Sequence, residues 1–322
     1  MAKAKPFIKW VGGKNQLIEQ LDALLPADFD KWQNATYIEP FIGGGAMLFY
    51  MLQQYPNIKK AVINDINSDL ITCYRTVKDT PEQLIDALKV IERDYLSLET
   101  EDDRRNMFLS VRDRYNEKNL NPIENTTLFF FLNRTCFNGL YRVNKKGLFN
   151  VPFGKYKNPK ICDPETIRVD SELLQRVDIL NADFEYSFDY AQGNTLFYFD
   201  PPYRPLSNTS SFNDYTKESF NDVAQVRLKE YCDRINKAGF NFMLSNSDGN
   251  SKNAGDNFFD DLYKEYHIER VLASRSINSN PNKRGKLTEI LVHNYLKTKS
   301  DLCCDAFCLE DLSKDKIKLV RG

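Results

Sequence analysis

Two histidines, His267 and His293, are all that the 322 residues contain, which argues against histidine-ligated metal centres and His-based catalytic triads. Cysteine is present but unorganised. The seven (Cys73, Cys136, Cys162, Cys232, Cys303, Cys304, Cys308) are odd in number and lack paired zinc-ligand spacing, so reduced thiols in a cytoplasm account for them and no metal is expected. Long apolar runs are also missing. None approaches membrane-spanning length, and Trp10, Gly12 and Gly13 interrupt the stretch where a signal peptide would need apolar residues. A cytoplasmic protein without membrane attachment is expected. Net charge is nearly absent too: 44 Lys and Arg against 45 Asp and Glu leave −1, so any basic surface for nucleic acid must be local. The length leaves room for one α/β domain plus a lobe.

What is present is concentrated at the ends of apolar runs. Leu196-Phe197-Tyr198-Phe199 reads as a buried strand that stops at Asp200, Pro201, Pro202 and Tyr203. Proline cannot continue a ladder, so Asp200 is expected at the carboxyl end of a strand, where open α/β sheets place ligands. A plain Pro-Pro turn is the simpler alternative. Against it, an acid and the carbonyl preceding a proline can both accept hydrogen bonds from one exocyclic amine, while a tyrosine can stack on the ring that carries the amine.

Two earlier strands also end in acids. Tyr37-Ile38-Glu39 leads through Phe41 into Gly43-Gly44-Gly45 and a helix with Met47, Leu48, Met51 and Leu52. Ala61 to Asn64 ends at Asp65, where a ribose-binding carboxylate is expected. The same shape could hold a dinucleotide pyrophosphate, although the G-x-G-x-x-G spacing is only loosely met. Before both, Trp10-Val11-Gly12-Gly13 lets the backbone pass close to a partner and brings Lys14 to a helix start. Asp178 to Phe184 reads as a strand ending in Asp183, Asn221 to Ala238 as an amphipathic helix, and Phe240 to Asn246 and Glu289 to Tyr295 as strands. These elements predict an α/β, Rossmann-like sheet in which Glu39, Asp65 and Asp200 line one crevice.

Between Pro81 and Asn133 three helical periodicities follow one another with no strand, and Thr80-Pro81 marks the boundary. From Arg134 to Lys160 the chain carries Arg134, Arg142, Lys145, Lys146, Lys155, Lys157 and Lys160 and no acid, interleaved with Phe137, Tyr141, Phe149, Phe153 and Tyr156. Alternation on either side of Lys145-Lys146-Gly147 predicts a β-hairpin. Cations neutralise phosphates, and aromatic or arginine side chains can enter a groove or replace an unstacked base. A solvated basic hairpin is the alternative.

Taken together and in order, Phe7 to Lys14, Glu39 to Gly45, Asn64 to Asn67, Asn138 to Asn144, Asn150 to Tyr156 and Asp200 to Tyr203 resemble the Dam family of bacterial and phage DNA adenine-N6 methyltransferases. The resemblance runs from about Lys5 to Lys297. It implies a class I methyltransferase sheet with an inserted, mainly helical target-recognition domain: residues 1–79 and 177–298 form the core, 80–176 the DNA-binding part, and 299–322 a tail to which it assigns no role. It implies S-adenosylmethionine as cofactor, lying across Trp10, Lys14, Glu39, Phe41, Gly43, Gly45, Asp65, Asp183, Phe184 and Asp200. Asp200, Pro201, Pro202 and Tyr203 would carry transfer to a flipped adenine.

The implied partner is double-stranded DNA, met by Lys9, Arg134, Phe137, Asn138, Leu140, Arg142, Asn144, Pro152 and Tyr156. Arg142 would contact guanine, Leu140 and Pro152 the thymine methyl, Phe137 and Asn138 the vacated base position, and Lys9 the first base pair, which makes GATC the expected site. Many members carry Tyr where this chain has Phe137; stacking survives that change and a phenol hydrogen bond does not. Loops from Pro205 to Tyr215 and from Arg275 to Lys286 would close over the site and meet the target strand. Other readings are an amino-methyltransferase of RNA or of another DNA sequence, a DNA-binding protein that has lost its chemistry, and a nicotinamide oxidoreductase. The intact Asp-Pro-Pro-Tyr argues against the second and the glycine spacing against the third.

Overall fold

The computed structural model describes residues 3–14, 16–204, 220–251, 255–273 and 287–296. Its centre is a seven-stranded sheet of β1 (Ala35–Glu39), β2 (Ile58–Asn64), β3 (Val177–Leu180), β4 (Thr195–Phe199), β5 (Asn241–Ser247), β6 (His267–Ala273) and β7 (Leu287–His293), in the order β3-β2-β1-β4-β5-β7-β6. The first five in that order are parallel, and β7 lies antiparallel between β5 and β6. Every residue of β1 and β4 is buried, as expected of parallel strands covered on both faces. Alternation along them separates two apolar layers. Tyr37, Leu196 and Tyr198 join one, while Ile38, Phe197 and Phe199 join the other with Leu228 and Tyr231.

Helices follow the strands: α1 (Ile18–Asp22), α2 (Ala46–Gln54), α3 (Ser68–Asp79), α4 (Pro81–Leu96), α5 (Glu101–Asn116), α6 (Pro122–Thr135), α7 (Pro164–Leu174), α8 (Asp222–Lys237) and α9 (Phe258–Leu262). Their starts are written locally. Asn67, Thr100, Asn121 and Asn221 accept backbone N–H groups of the first turns of α3, α5, α6 and α8, and proline opens α4, α6 and α7. One apolar layer continues from Phe7, Phe49 and Tyr74 through Leu88, Tyr95, Phe108 and Phe131 to Val151 and Ile161. The helices α4–α6 therefore pack on the sheet-side helices through a continuous core.

Three expectations are corrected. The segment after α6 is not a regular hairpin: it forms two isolated bridges, Cys136 with Phe153 and Val143 with Phe149. The turn at Lys145-Lys146-Gly147 is made, with the Asn144 amide donating to the Leu148 carbonyl and the Asn150 amide to the Arg142 carbonyl, but Asn138 and Lys155 hold φ of 55° and 59°, which breaks extended backbone on either side and keeps the pairing short. Strand β3 ends at Leu180 rather than Asp183, because the Asn64 side chain accepts from the Ala182 amide and donates to its carbonyl, ending the pairing. Lys14 does not sit at a helix start: α1 begins only at Ile18, and the Lys14 carbonyl accepts from Leu17 in a turn before it.

Candidate active site

Strand order reverses between β1 and β4, and their carboxyl ends open the crevice where an open α/β sheet binds ligands. Glu39 closes β1, and Asp65 and Asp200 follow directly on β2 and β4. Glu39 is 2 % exposed, accepts from the Tyr37 hydroxyl at 2.9 Å, and is held well above the usual carboxylate range by burial, with the Asp200 charge adding to it. Asp65 accepts from the Asn67 amide at 2.9 Å and the Gly43 amide at 3.3 Å; burial pushes it up to about 6. It thereby ties the end of β2 to the glycine turn.

That turn needs its glycines. Gly43 and Gly45 have φ of 46° and 74°; a Cβ would meet Trp10 Cδ1 at 2.9 Å and Tyr74 Oη at 2.5 Å respectively. Trp10 thus lies against the glycine turn on one side and stacks on Tyr141 on the other, 5.5 Å between centroids. Phe41 lies 5.3 Å from Phe184, whose ring carries the Arg227 guanidinium at 4.4 Å. The Asp183 carboxylate accepts from the Glu185 amide and pairs with Arg227. Asn64, which motif reading left without a role, bonds the Pro40 carbonyl at 3.1 Å and Ala182 on both sides, so it binds together the ends of β1, β2 and the β3 loop.

Around Asp200 the structure assembles four groups from four parts of the chain. Lys14, 5 % exposed, places Nζ 3.0 Å from Asp200 Oδ1, 3.5 Å from Glu289 Oε2 and 2.5 Å from Tyr203 Oη. The Tyr203 hydroxyl donates to Glu289 Oε2 at 2.6 Å. Burial raises Asp200 above the usual carboxylate range, opposed by Lys14 and assisted by Glu289. Behind it, Ser245 Oγ lies 3.4 Å from Asp200 and 3.1 Å from the Tyr198 hydroxyl. The chain past Asp200 is also braced: Gln225 donates to the Pro202 carbonyl at 3.2 Å, and Arg204 is clamped between Asp222 and Asp256. Pro201 is buried and Pro202 exposed. Glu289, Ser245 and Gln225 were not foreseen as site residues. Each lies inside an ordinary strand or helix pattern and reaches the site only through the sheet order.

The segment read as DNA-binding lies beside this crevice. Phe137 is 51 % exposed, Asn138 and Pro152 are exposed, and the Phe137 amide donates to the Pro152 carbonyl at 2.8 Å. Leu140 and Tyr156 are half-buried, and Lys9 stands 5.0 Å over the Tyr156 ring. Arg142 is oriented by Asn150, which accepts from Nε at 2.8 Å and from Nη2 at 3.1 Å. Asn144 Oδ1 is engaged in its own turn by the Lys146 and Leu148 amides. Arg134 points inward: its Nη2 donates to the Phe7 carbonyl at 2.7 Å.

Asn133, 3 % exposed, accepts from the Lys9 amide and donates to the Lys9 and Gly139 carbonyls. It anchors the N-terminal segment to the turn that carries Phe137 and Asn138. Asn133→Ala leaves those backbone groups without their partner and is expected to lower unfolding free energy by about 1–3 kcal/mol. Urea denaturation checks this; a change within error would mean the anchor contributes nothing to folding.

The loop expected from Pro205 to Tyr215, that from Arg275 to Lys286, the tail, and Cys303, Cys304 and Cys308 lie outside the described residues.

A family model described as D12 class N6 adenine-specific DNA methyltransferase matches residues 10–277. The chain is 46 % identical over 297 residues to the Type II methyltransferase M.MjaIII of Methanocaldococcus jannaschii, covering 91 % of this chain and 100 % of that protein. It is 42 % identical to the Type II methyltransferase M1.LlaDCHI of Lactococcus lactis subsp. cremoris, covering 90 % and 95 %. It is 30 % identical to the DNA adenine methylase of Escherichia coli, again covering 90 % and 95 %. With its acid-lined crevice and Asp200 at the end of β4, the chain belongs to the D12 class of N6 adenine-specific DNA methyltransferases.

Proposed function

We propose that this enzyme takes its methyl group from S-adenosylmethionine and delivers it to an adenine flipped out of double-stranded DNA at GATC, with Asp200 as the central catalytic residue. The observation that carries this reading is the position of Asp200, half-buried at the switch point beside Lys14 and Tyr203 and one strand away from Glu39. The donor set fits the cofactor. Glu39 and Asp65 offer carboxylates to ribose and amino groups, the glycine turn allows close approach, and Phe41 and Phe184 offer an apolar wall. When bound, S-adenosylmethionine supplies an electrophilic methyl on a sulfonium.

The adenine N6 lone pair is conjugated into the ring, and inside a duplex it is out of reach, so the base must leave the stack at a cost of a few kcal/mol. The Asp200 carboxylate and the Pro201 carbonyl would accept hydrogen bonds from the two N6 hydrogens and turn the lone pair toward the methyl; one of these protons is then lost to solvent as the methylated nitrogen returns to neutrality. Tyr203 supplies a ring for the base to stack on. The rate comes from positioning and from fixed charge where charge develops.

Residues 80–176 then serve as the recognition part, with Phe137 and Asn138 exposed at the vacated base position, Arg142 reading guanine, Leu140 and Pro152 packing on thymine, and Lys9 near the first base pair. The Asn150 brace on Arg142 supports this, since it presets a guanidinium that would otherwise be ordered on binding. Arg134 is better suited to holding the N-terminal segment than to touching DNA. The Type II designation of two relatives supports a role as a modification enzyme. Among the described residues no helix is long and apolar enough to cross a membrane, and the buried thiols Cys73, Cys136, Cys162 and Cys232 suit a cytoplasmic setting.

The test is methyl transfer from labelled S-adenosylmethionine to two duplexes that differ only in one GATC. Incorporation confined to the GATC duplex supports donor and site together; incorporation into both discards the site. On single-base variants of that duplex, Arg142→Ala is expected to relax discrimination at one base pair by about 1–3 kcal/mol. Unchanged discrimination removes Arg142 from the readout.

A further inference from the structure

We propose that Glu289 is a positioning residue for methyl transfer, holding the Tyr203 ring by its hydroxyl and giving Lys14 a second anion when the target amine takes Asp200. The proposal rests on the assignment of Asp200 and Tyr203 above. Glu289 lies near the start of its strand, the end of a strand that carries no site in a parallel sheet. Here β7 runs antiparallel, and its register sets Glu289 opposite Ser247, the last residue of β5, so it emerges at the same edge as Asp200. From there one oxygen, Oε2, faces both Tyr203 Oη at 2.6 Å and Lys14 Nζ at 3.5 Å.

The competition is stereochemical. Lys14 Nζ is 3.0 Å from Asp200 Oδ1, so a target amine that approaches this oxygen competes with the ammonium for it. A buried ammonium cannot give up its anion without another, because an uncompensated charge in such a place is costly. Glu289 lies within half an ångström of the required distance, so a small movement of Nζ exchanges one carboxylate for the other. The same oxygen fixes the Tyr203 hydroxyl and with it the ring plane offered to the base. No proton or covalent bond changes hands in this step.

Groups facing Asp200 are Lys14 from the N-terminal segment, Tyr198 on its own strand, Tyr37 and Glu39 from β1, Ser245 from β5, Tyr203, and Glu289 from β7. Glu289→Gln keeps the shape and an acceptor for Tyr203 but removes the charge. With the full chain, labelled S-adenosylmethionine and the GATC duplex, kcat is expected to fall about 10–100-fold, less than the roughly 10²–10³-fold typical of losing a group aimed at the developing charge itself, with KM for DNA and cofactor affinity within about threefold. The acid limb of kcat against pH is expected to move to lower pH, because one negative charge facing Asp200 is gone; a merely structural role would not move it.

Glu289→Ala is expected to lose more, and Tyr203→Phe added to it little further, since both remove one contact. Wild-type kcat in the Gln variant, a loss carried by KM alone, or an unmoved acid limb would each overturn the proposal while leaving Asp200 in place. An inactive wild-type enzyme on the GATC duplex would overturn it together with the reading beneath it.

Discussion

Asp200→Ala is expected to lower kcat by about 10²–10³-fold or more, the size found when a fixed group aimed at developing charge is removed. Its fold is expected to survive. Lys14 keeps Glu289 as a counterion 3.5 Å away, and the hydrogen bonds that brace the following residues go to Pro202 and Arg204 rather than to the Asp200 side chain. Donor binding should persist through Glu39, Asp65 and the glycine turn. Asp200→Asn sharpens the test, since it keeps one acceptor oxygen for the target amine but loses the negative charge, and so separates hydrogen-bond acceptance from electrostatics. Single-turnover transfer from labelled S-adenosylmethionine, with cofactor titration in parallel, separates chemistry from binding. Residual turnover near the wild-type rate in both variants would remove Asp200 from the mechanism.

Lys14→Met has the second large effect, and its sign is set by the Asp200 titration. Burial raises Asp200 above its ordinary value of 3.8 and Lys14 opposes that rise. Without the ammonium the carboxyl moves further up, so its neutral form persists to higher pH and cannot accept from the amine. The acid limb of kcat/KM is therefore expected to move to higher pH, with activity lost first at the acid end and regained on alkalinisation. Stability follows the same linkage. A carboxyl whose folded value exceeds its unfolded value binds protons better when folded, so the variant loses stability as pH rises from about 3.8 towards the raised folded value.

Breaking a buried pair typically costs about 3–5 kcal/mol; the 20 % exposure of the Asp200 side chain puts this variant at or below the lower end. Rate profiles and urea denaturation across the acid-to-alkaline range check both statements. An unchanged profile would mean that Lys14 does not govern the ionisation of Asp200.

Much of the site was legible because it is punctuated locally. Glu39, Asp65 and Asp200 could be set at strand ends since an apolar run followed by glycine or proline reports where pairing stops. The glycine turn was legible for the same reason, and the φ of Gly43 and Gly45 accounts for it. The hairpin turn at Lys145-Lys146-Gly147 was legible, but its shortness was not, because alternation is blind to the positive φ of Asn138 and Lys155 that breaks extended backbone on either side. The end of β3 was misread because Asn64, 118 residues away from Ala182, ends the pairing. Arg134 looked like part of a basic surface, and composition cannot tell a guanidinium in solvent from one bonded to the Phe7 carbonyl.

By itself, then, the amino-acid order determined the local elements, the three acids at strand ends, the acid-free run from Arg134 to Lys160, and the motif order that marks the family. These depend on spacing and backbone restriction within a few residues. Only the tertiary structure decided that Lys14, Asp200, Tyr203 and Glu289 meet around one ammonium, since this requires β7 to insert antiparallel between β5 and β6 and so to bring the beginning of one strand beside the ends of the others. Strand direction is a property of pairing between segments far apart in the chain, and no local pattern encodes it.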